Sequence, residues 1–274
     1  MISELFQRFF RHIDSFLMAC LLFTMLVGLF VLYSASGHSV ERVSDFAIAG
    51  MLLLIPVGLI VKQPDLGTAL LITASGFYVL FLAGLSWKFL VGGAVSIGAM
   101  MPLMWSMLHD YPRKRIEILI DPTQDPLGAG YHTIQATIAL GSGGVTGKGW
   151  LNGTQAQLDF LPERTTDFIF AVFGEEFGMI GNMMLVVLFS LLIGRGLVIA
   201  SQAKSTFTRL LAGSITLTFF TYAFVNMGMV SGILPVVGVP LPFISYGGTS
   251  MVTLCLSFGI LMSIQTHKKL VASG

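Results

Sequence analysis

The residue in this chain best placed to do chemistry is Asp167, a carboxylate at the edge of an apolar run. It closes the polar stretch Glu163-Arg164-Thr165-Thr166 and precedes Phe168-Ile169-Phe170-Ala171. Apolar surroundings raise a carboxyl pKa toward the range in which it works as a general base. The competing account is a helix N-cap or first-turn residue, since carboxylates favour helix N-termini. Glu175 and Glu176 follow within the same apolar pattern. Neighbours on a helix cannot face the same way, so one is expected to be buried and functional while the other meets water. His132 and Gln135 stand one turn apart in YHTIQATIAL, which implies a shared polar face. No His, Cys or carboxylate lies at ligand spacing from His132, so a metal site is not expected there.

Positive charge for an anionic ligand is available at Lys148 and Arg164. Lys148 belongs to the run GSGGVTGKG at 141–149, which invites comparison with a phosphate loop. That motif needs Gly where Ser142 stands and Ser or Thr where Gly149 stands. Two readings remain: a plain Gly-rich turn, or backbone N–H groups that hold an anion together with Lys148. Solvated loop charge is the bland account of each cation.

The elements that must position these residues are membrane helices. The chain is 54% hydrophobic and 11% charged, with a mean hydropathy of +0.84; soluble domains carry about 25% charged residues. A formal net charge of +1 excludes a general basic surface for nucleic acid. Cys20 and Cys255 lie in apolar runs and read as packed thiols rather than a disulfide. Leu17-Met18-Ala19-Cys20 imitates a lipoprotein cleavage box, but Arg8, Arg11 and Asp14 interrupt the apolar run that should precede one. No cleavable signal is therefore expected.

Runs long enough for the bilayer are Phe16–Ser34, Gly67–Leu85, Phe89–Met107, Met179–Ala200, Leu210–Val230 and Ser245–Ile264, with Phe46–Val61 as a short seventh. Phe168–Ala200 is too long for one simple span, so its first part predicts an interfacial helix leading into the next. His267-Lys268-Lys269 and Lys204 with Arg209 face the cytoplasm by the positive-inside rule, as do Arg8 and Arg11. Two cytoplasmic ends require an even number of crossings, so Phe46–Val61 is expected to insert only partly. Leu108–Thr166 then falls outside the cell as a large polar loop, and loops of that length are usually functional. The Pro- and Gly-rich LPVVGVPLPFISYGG at 234–248 resists helix and predicts a shaped re-entrant segment on the same face.

Taken together, QPDLGTALL at 63–71, DPLGAGYHTIQATIALGSGGVTGKGW at 125–150, LPERTTDFIFAVFGEEFG at 161–178 and GMVSGILPVVGVPLPFISYGGTS at 228–250 resemble the SEDS (shape, elongation, division, sporulation) family. GKGWLNGTQAQLDFLPER is most similar to its RodA type. The resemblance runs from about residue 46 to the end, with the first span and its YSASG at 33–37. It implies a peptidoglycan glycosyltransferase that polymerises lipid II during cell elongation beside a class B penicillin-binding protein. It places the family's catalytic aspartate on Asp167. It further implies ten spans, whereas here the first span leads directly into what resembles the fifth, with a junction near residues 42–46. The absent portion includes the family's Pro-Ser-Glu motif.

The expected fold class is therefore all-α: a single polytopic integral membrane domain over residues 1–274, with six to seven transmembrane segments and an internal deletion near 42–46. The bacterial cytoplasmic membrane is its expected location. Asp167 is the expected catalytic base. Lys148, Arg164, Gln135 and His132 are expected to bind substrate, together with Glu175, Ser245 and Arg42. No metal ligands are assignable, although a divalent Mg or Mn ion would serve the leaving pyrophosphate. Two alternatives have different signatures. A lipid II flippase requires charges deep within several spans, and an inactive shortened form would only bind the penicillin-binding protein.

Overall fold

A computed structural model describes residues 50–54, 56–58, 60, 66–85, 87–88, 91–92, 95–96, 98–99, 110–125, 128–158, 160–161 and 163–266. The first span, Arg42, Gln63-Pro64-Asp65 and His267-Lys268-Lys269 lie outside the described residues. Among those described there is no strand. The helices are α1 (Leu66–Leu82), α2 (Asp110–Ile120), α3 (Ala129–Ser142), the single turn α4 (Thr154–Gln157), α5 (Ile169–Ser201), α6 (Thr206–Val230) and α7 (Gly248–Thr266), with a 3-10 turn at Pro122–Gln124. The segment 108–166, expected as a loop, is thus largely helical where it is described. Polar composition signalled its place outside the bilayer and concealed the amphipathic faces of α2 and α3.

Three described helices, α5, α6 and α7, are long and apolar enough to cross a membrane, and Gly67–Leu82 within α1 is a shorter apolar helix. Large apolar side chains on the outside of α5, including Met183, Met184, Val187 and Leu191, are exposed. In water that would be a liability; against lipid it is the expected outer surface.

The bundle centres on α6, which packs against α5 on one side and α1 on the other. Its start is fixed by a capping box. The Ser205 side chain accepts from the Thr208 N–H, and Thr208 Oγ1 accepts from the Ser205 N–H. Toward α1, Tyr78 and Thr221 hydroxyls meet at 2.6 Å and Ser214 Oγ donates to the Ser75 carbonyl. Interhelical polar links of this kind suit a lipid environment, where apolar surface alone gives helices no reason to associate. Toward α5 and α7, Phe219 makes edge contacts with Phe189 and Phe258 at ring separations of 5.5 and 5.2 Å.

α5 is broken where the sequence predicted an interfacial helix to give way to a span. Gly178 has φ 64° and ψ −162°, a conformation closed to other residues without strain. The remainder, Met179–Ser201, at about 1.5 Å per residue matches a hydrocarbon core of roughly 30 Å. Breaking the helix frees backbone groups that must be satisfied elsewhere. The Gly-rich turn satisfies them. Lys148 and Gly149 N–H groups donate to the carbonyls of Glu175 and Glu176, while Met179 and Ile180 N–H groups donate to Gly144 and Val145. The amides suspected of cradling an anion are therefore occupied within the protein.

Gly147 makes this docking possible, with φ 79° and no room for a Cβ, which would overlap the Glu176 carbonyl. Gly147→Ala is expected to cost about 1–2 kcal/mol from its backbone conformation alone, before any displacement of the turn. Thermal unfolding in detergent measures this; an unchanged melting temperature would show that the turn is not held here.

Candidate functional site

Two groups of polar side chains gather along the first part of α5, and the expected site residues divide between them. The first surrounds the turn at 163–168. Glu163 adopts φ 52°, and its carbonyl accepts from the Thr166 and Phe168 N–H groups, winding the chain tightly before the helix. Thr166 Oγ1 donates to the Glu163 carboxylate at 2.8 Å. The N-cap of α5 is Phe168, no side chain caps the helix, and its first turn holds no acidic residue. Asp167 therefore stands one residue outside the helix, and the capping account of this carboxylate does not hold.

The Asp167 carboxyl is half-buried. Burial pushes its pKa above the usual carboxylate value, and the nearby negative charge of Glu163 pushes it further the same way. One wall beside it is Gly238 of the segment 231–247, which has φ 72°; a Cβ there would stand 3.3 Å from Asp167 Oδ2. This segment is non-helical throughout, as its proline and glycine content predicted. Its residues Val239, Leu241 and Pro242 are nonetheless buried.

Three consecutive carbonyls of the Asp167 turn are each taken by a donor from across this contact. Tyr246 N–H reaches Thr165 at 2.8 Å, Ser245 Oγ reaches Thr166 at 2.6 Å, and Asn226 Nδ2 reaches Asp167 at 2.8 Å. Ser245 Oγ also accepts from the Leu241 N–H, and Asn226 Nδ2 also donates to the Val239 carbonyl at 2.6 Å. Ser245, expected to bind substrate, is buried with its hydroxyl on two backbone partners. From α3, His132 stacks on Phe168 with ring centroids 6.0 Å apart and planes at 22°. Gln135 follows one turn later and is half-buried, and Arg164 is half-buried on the Asp167 turn itself.

The second group lies about two turns further along α5. Glu175 is 0% exposed and Glu176 is 7% exposed. The expectation that one of them would meet water is incorrect, because the 143–155 segment folds over both. Glu175 Oε1 accepts from Lys148 Nζ at 2.7 Å, from Thr154 Oγ1 at 2.9 Å and from the Thr154 N–H at 2.9 Å. The Gln155 N–H adds a further bond to both carboxylate oxygens. Lys148 and Glu175 were each expected to meet substrate; the structure brings them together as an ion pair.

Among the described residues no group of three or more His, Cys, Asp or Glu side chains could hold a metal ion. Sequence reasoning missed Asn226. Its signal was an amide within the apolar run YAFVNMGMV, since polar groups at membrane depth are expensive and mark function or interhelical bonding.

The family described as cell cycle protein, FtsW/RodA/SpoVE, matches residues 21–270. The chain is 57% identical over 226 residues to the peptidoglycan glycosyltransferase MrdB of Escherichia coli K12, covering 82% of this chain and 61% of that protein. It is 39% identical over 228 residues to a probable peptidoglycan glycosyltransferase FtsW of Geobacter metallireducens, covering 82% and 60%. Among solved structures it is similar to a chain of a peptidoglycan synthase complex that coordinates polymerization and crosslinking, with TM-score 0.74, 30% identity and coverage of 89% and 68%. The rod shape determining protein RodA of Thermus thermophilus gives TM-score 0.60 and 26% identity over 89% and 63%. The chain spans about three fifths of the length of the curated relatives it matches.

Proposed function

The chain belongs to the FtsW/RodA/SpoVE family, and from that premise we propose that it is a multi-pass peptidoglycan glycosyltransferase of the bacterial cytoplasmic membrane, polymerising lipid II beside a class B penicillin-binding protein. The observation that carries this reading is Asp167. It is a half-buried carboxyl with raised proton affinity, held on a braced turn where the polar segment meets the membrane helices. A base at that depth suits a substrate whose sugars lie at the surface and whose anchor lies in the bilayer.

In the proposed reaction Asp167 takes the proton of the acceptor sugar 4-hydroxyl. The oxygen forms a bond to the anomeric carbon of the lipid-linked donor, the bond from that carbon to phosphate breaks, and undecaprenyl pyrophosphate leaves with the electron pair. Attack opposite the leaving group inverts the anomeric centre. Charge on the leaving pyrophosphate calls for a cation. Arg164, on the same turn as Asp167, is the cation we assign to it. His132 and Gln135 line the α3 side, where sugar hydroxyls would lie. A divalent ion would supply further positive charge to the same pyrophosphate.

Incorporation of labelled lipid II into glycan by the purified protein tests this function. Polymer is expected, with and without the partner. No polymer together with retained partner binding would establish the chain as a binding form, a reading that its three-fifths coverage of the relatives supports. Arg164→Ala is expected to raise the apparent KM for lipid II with little change in rate at saturation, the mark of lost uniform binding. An unchanged KM would remove Arg164 from the substrate site.

A further inference from the structure

We infer that Asn226 and Ser245 act as a pair of positioning residues that hold the Asp167 carboxylate against Gly238. This inference rests on the reading of Asp167 as the base. Each side chain bridges the same two pieces of chain. Asn226 Nδ2 donates to the Asp167 carbonyl at 2.8 Å and to the Val239 carbonyl at 2.6 Å. Ser245 Oγ donates to the Thr166 carbonyl at 2.6 Å and accepts from the Leu241 N–H at 2.7 Å. Both bridges anchor just after Gly238, at Val239 and at Leu241. The turn carrying Asp167 and the wall it faces are thus one unit.

Neither residue is surplus to the fold in an ordinary way. Asn226 is 0% exposed and Ser245 4% exposed, and burying an amide within an apolar helix is costly unless it bonds. Asn226 Oδ1 is buried without a partner, so this side chain is placed for its two donors. An apolar residue of similar shape would fill the volume more cheaply; the amide's distinguishing contribution is the bridge. Among the described residues few other charges stand able to act on Asp167. Glu163 and Arg164 share its turn, and His132 faces the turn from α3 through Phe168. The 231–247 segment contains no ionisable residue except Tyr246, which is 81% exposed. The only charged residue of α6, Arg209, lies at the opposite end of that helix from Asn226.

The test uses Asn226→Leu, which keeps volume and removes both donors, and Ser245→Ala. Ser250→Ala, on a hydroxyl that donates to the carbonyl of Gly247 nearby, is the control. The rate at which a water-soluble carbodiimide labels Asp167 across pH, read by mass spectrometry of the intact purified protein, reports the proton affinity of that carboxyl without requiring turnover. Release from the wall admits water, so both variants are expected to shift the labelling midpoint down toward the ordinary carboxylate value, while Ser250→Ala leaves it in place. With lipid II, both are expected to lower kcat by roughly a hundredfold, the scale of a 1 Å misplacement, with KM little changed. Should Asn226→Leu fail to fold, Ser245→Ala carries the test alone. Midpoints equal to the parent's in every folded variant overturn the inference. If the parent labels as expected yet makes no polymer, the proposed reaction fails while the positioning stands.

Discussion

Asp167→Asn is expected to abolish polymerisation of lipid II and to leave the protein at least as stable as its parent. Asn matches the carboxylate in shape but cannot accept the proton of a sugar hydroxyl at working pH. The backbone carbonyl that Asn226 holds is unchanged by the substitution. The sign of the stability effect follows from the direction of the pKa shift. The folded protein binds the Asp167 proton more tightly than the unfolded chain does, because burial and Glu163 disfavour the charge. The stabilisation associated with that proton is complete below the ordinary carboxylate pKa and is lost as pH rises through the raised value. At neutral pH the ionised side chain is therefore a burden on the fold that Asn removes, a common trade between activity and stability. The same shift places the acid limb of kcat/KM above the ordinary carboxylate range, since the base must be deprotonated to act. Activity of Asp167→Asn equal to the parent's, or an acid limb at the ordinary carboxylate pKa, would remove Asp167 from the base role.

What the chain discloses before folding depends on the range of the interaction. The spans in α5, α6 and α7 were legible because bilayer crossing is decided by local composition. The non-helical character of 231–247 was legible because Pro235, Pro240 and Pro242 act on their immediate neighbours. The break in α5 was placed within one residue of Gly178 by the length of the apolar run alone. Asp167 was legible as a candidate by its boundary position, although local sequence left a capping role open. Only the turn geometry, with Phe168 as N-cap, closes it. Partnerships across long sequence separations were not legible. Nothing near Asn226 announces that it will hold a carbonyl 59 residues earlier. Nothing in GSGGVTGKG announces that its amides will complete a broken helix, because a Gly-rich turn with a lysine reads the same whether its N–H groups face a ligand or a carbonyl.

Lys148 is where that ambiguity has its largest consequence for stability. Its ammonium lies 2.7 Å from Glu175 Oε1, with 29% of the lysine side chain exposed and none of the glutamate side chain. Removing one partner of a buried pair leaves the other charge uncompensated, typically at a cost of 3–5 kcal/mol. Glu175 retains the Thr154 hydroxyl and the Thr154 and Gln155 N–H groups, so Lys148→Ala is expected at the low end, about 3 kcal/mol. The second substitution separates charge from packing. Glu175→Gln in the Lys148→Ala background removes the stranded charge while keeping the volume, and is expected to recover much of the lost stability. Unfolding of the parent, both single variants and the double variant in one detergent completes the cycle. A pyrophosphate-binding lysine would behave otherwise: Lys148→Ala would melt with the parent while its KM for lipid II rose. That outcome would make the pair with Glu175 incidental and return Lys148 to the substrate. The geometry favours the first outcome, because five donors converge on a carboxylate that has no access to water, and the lysine is the only one of them that carries charge.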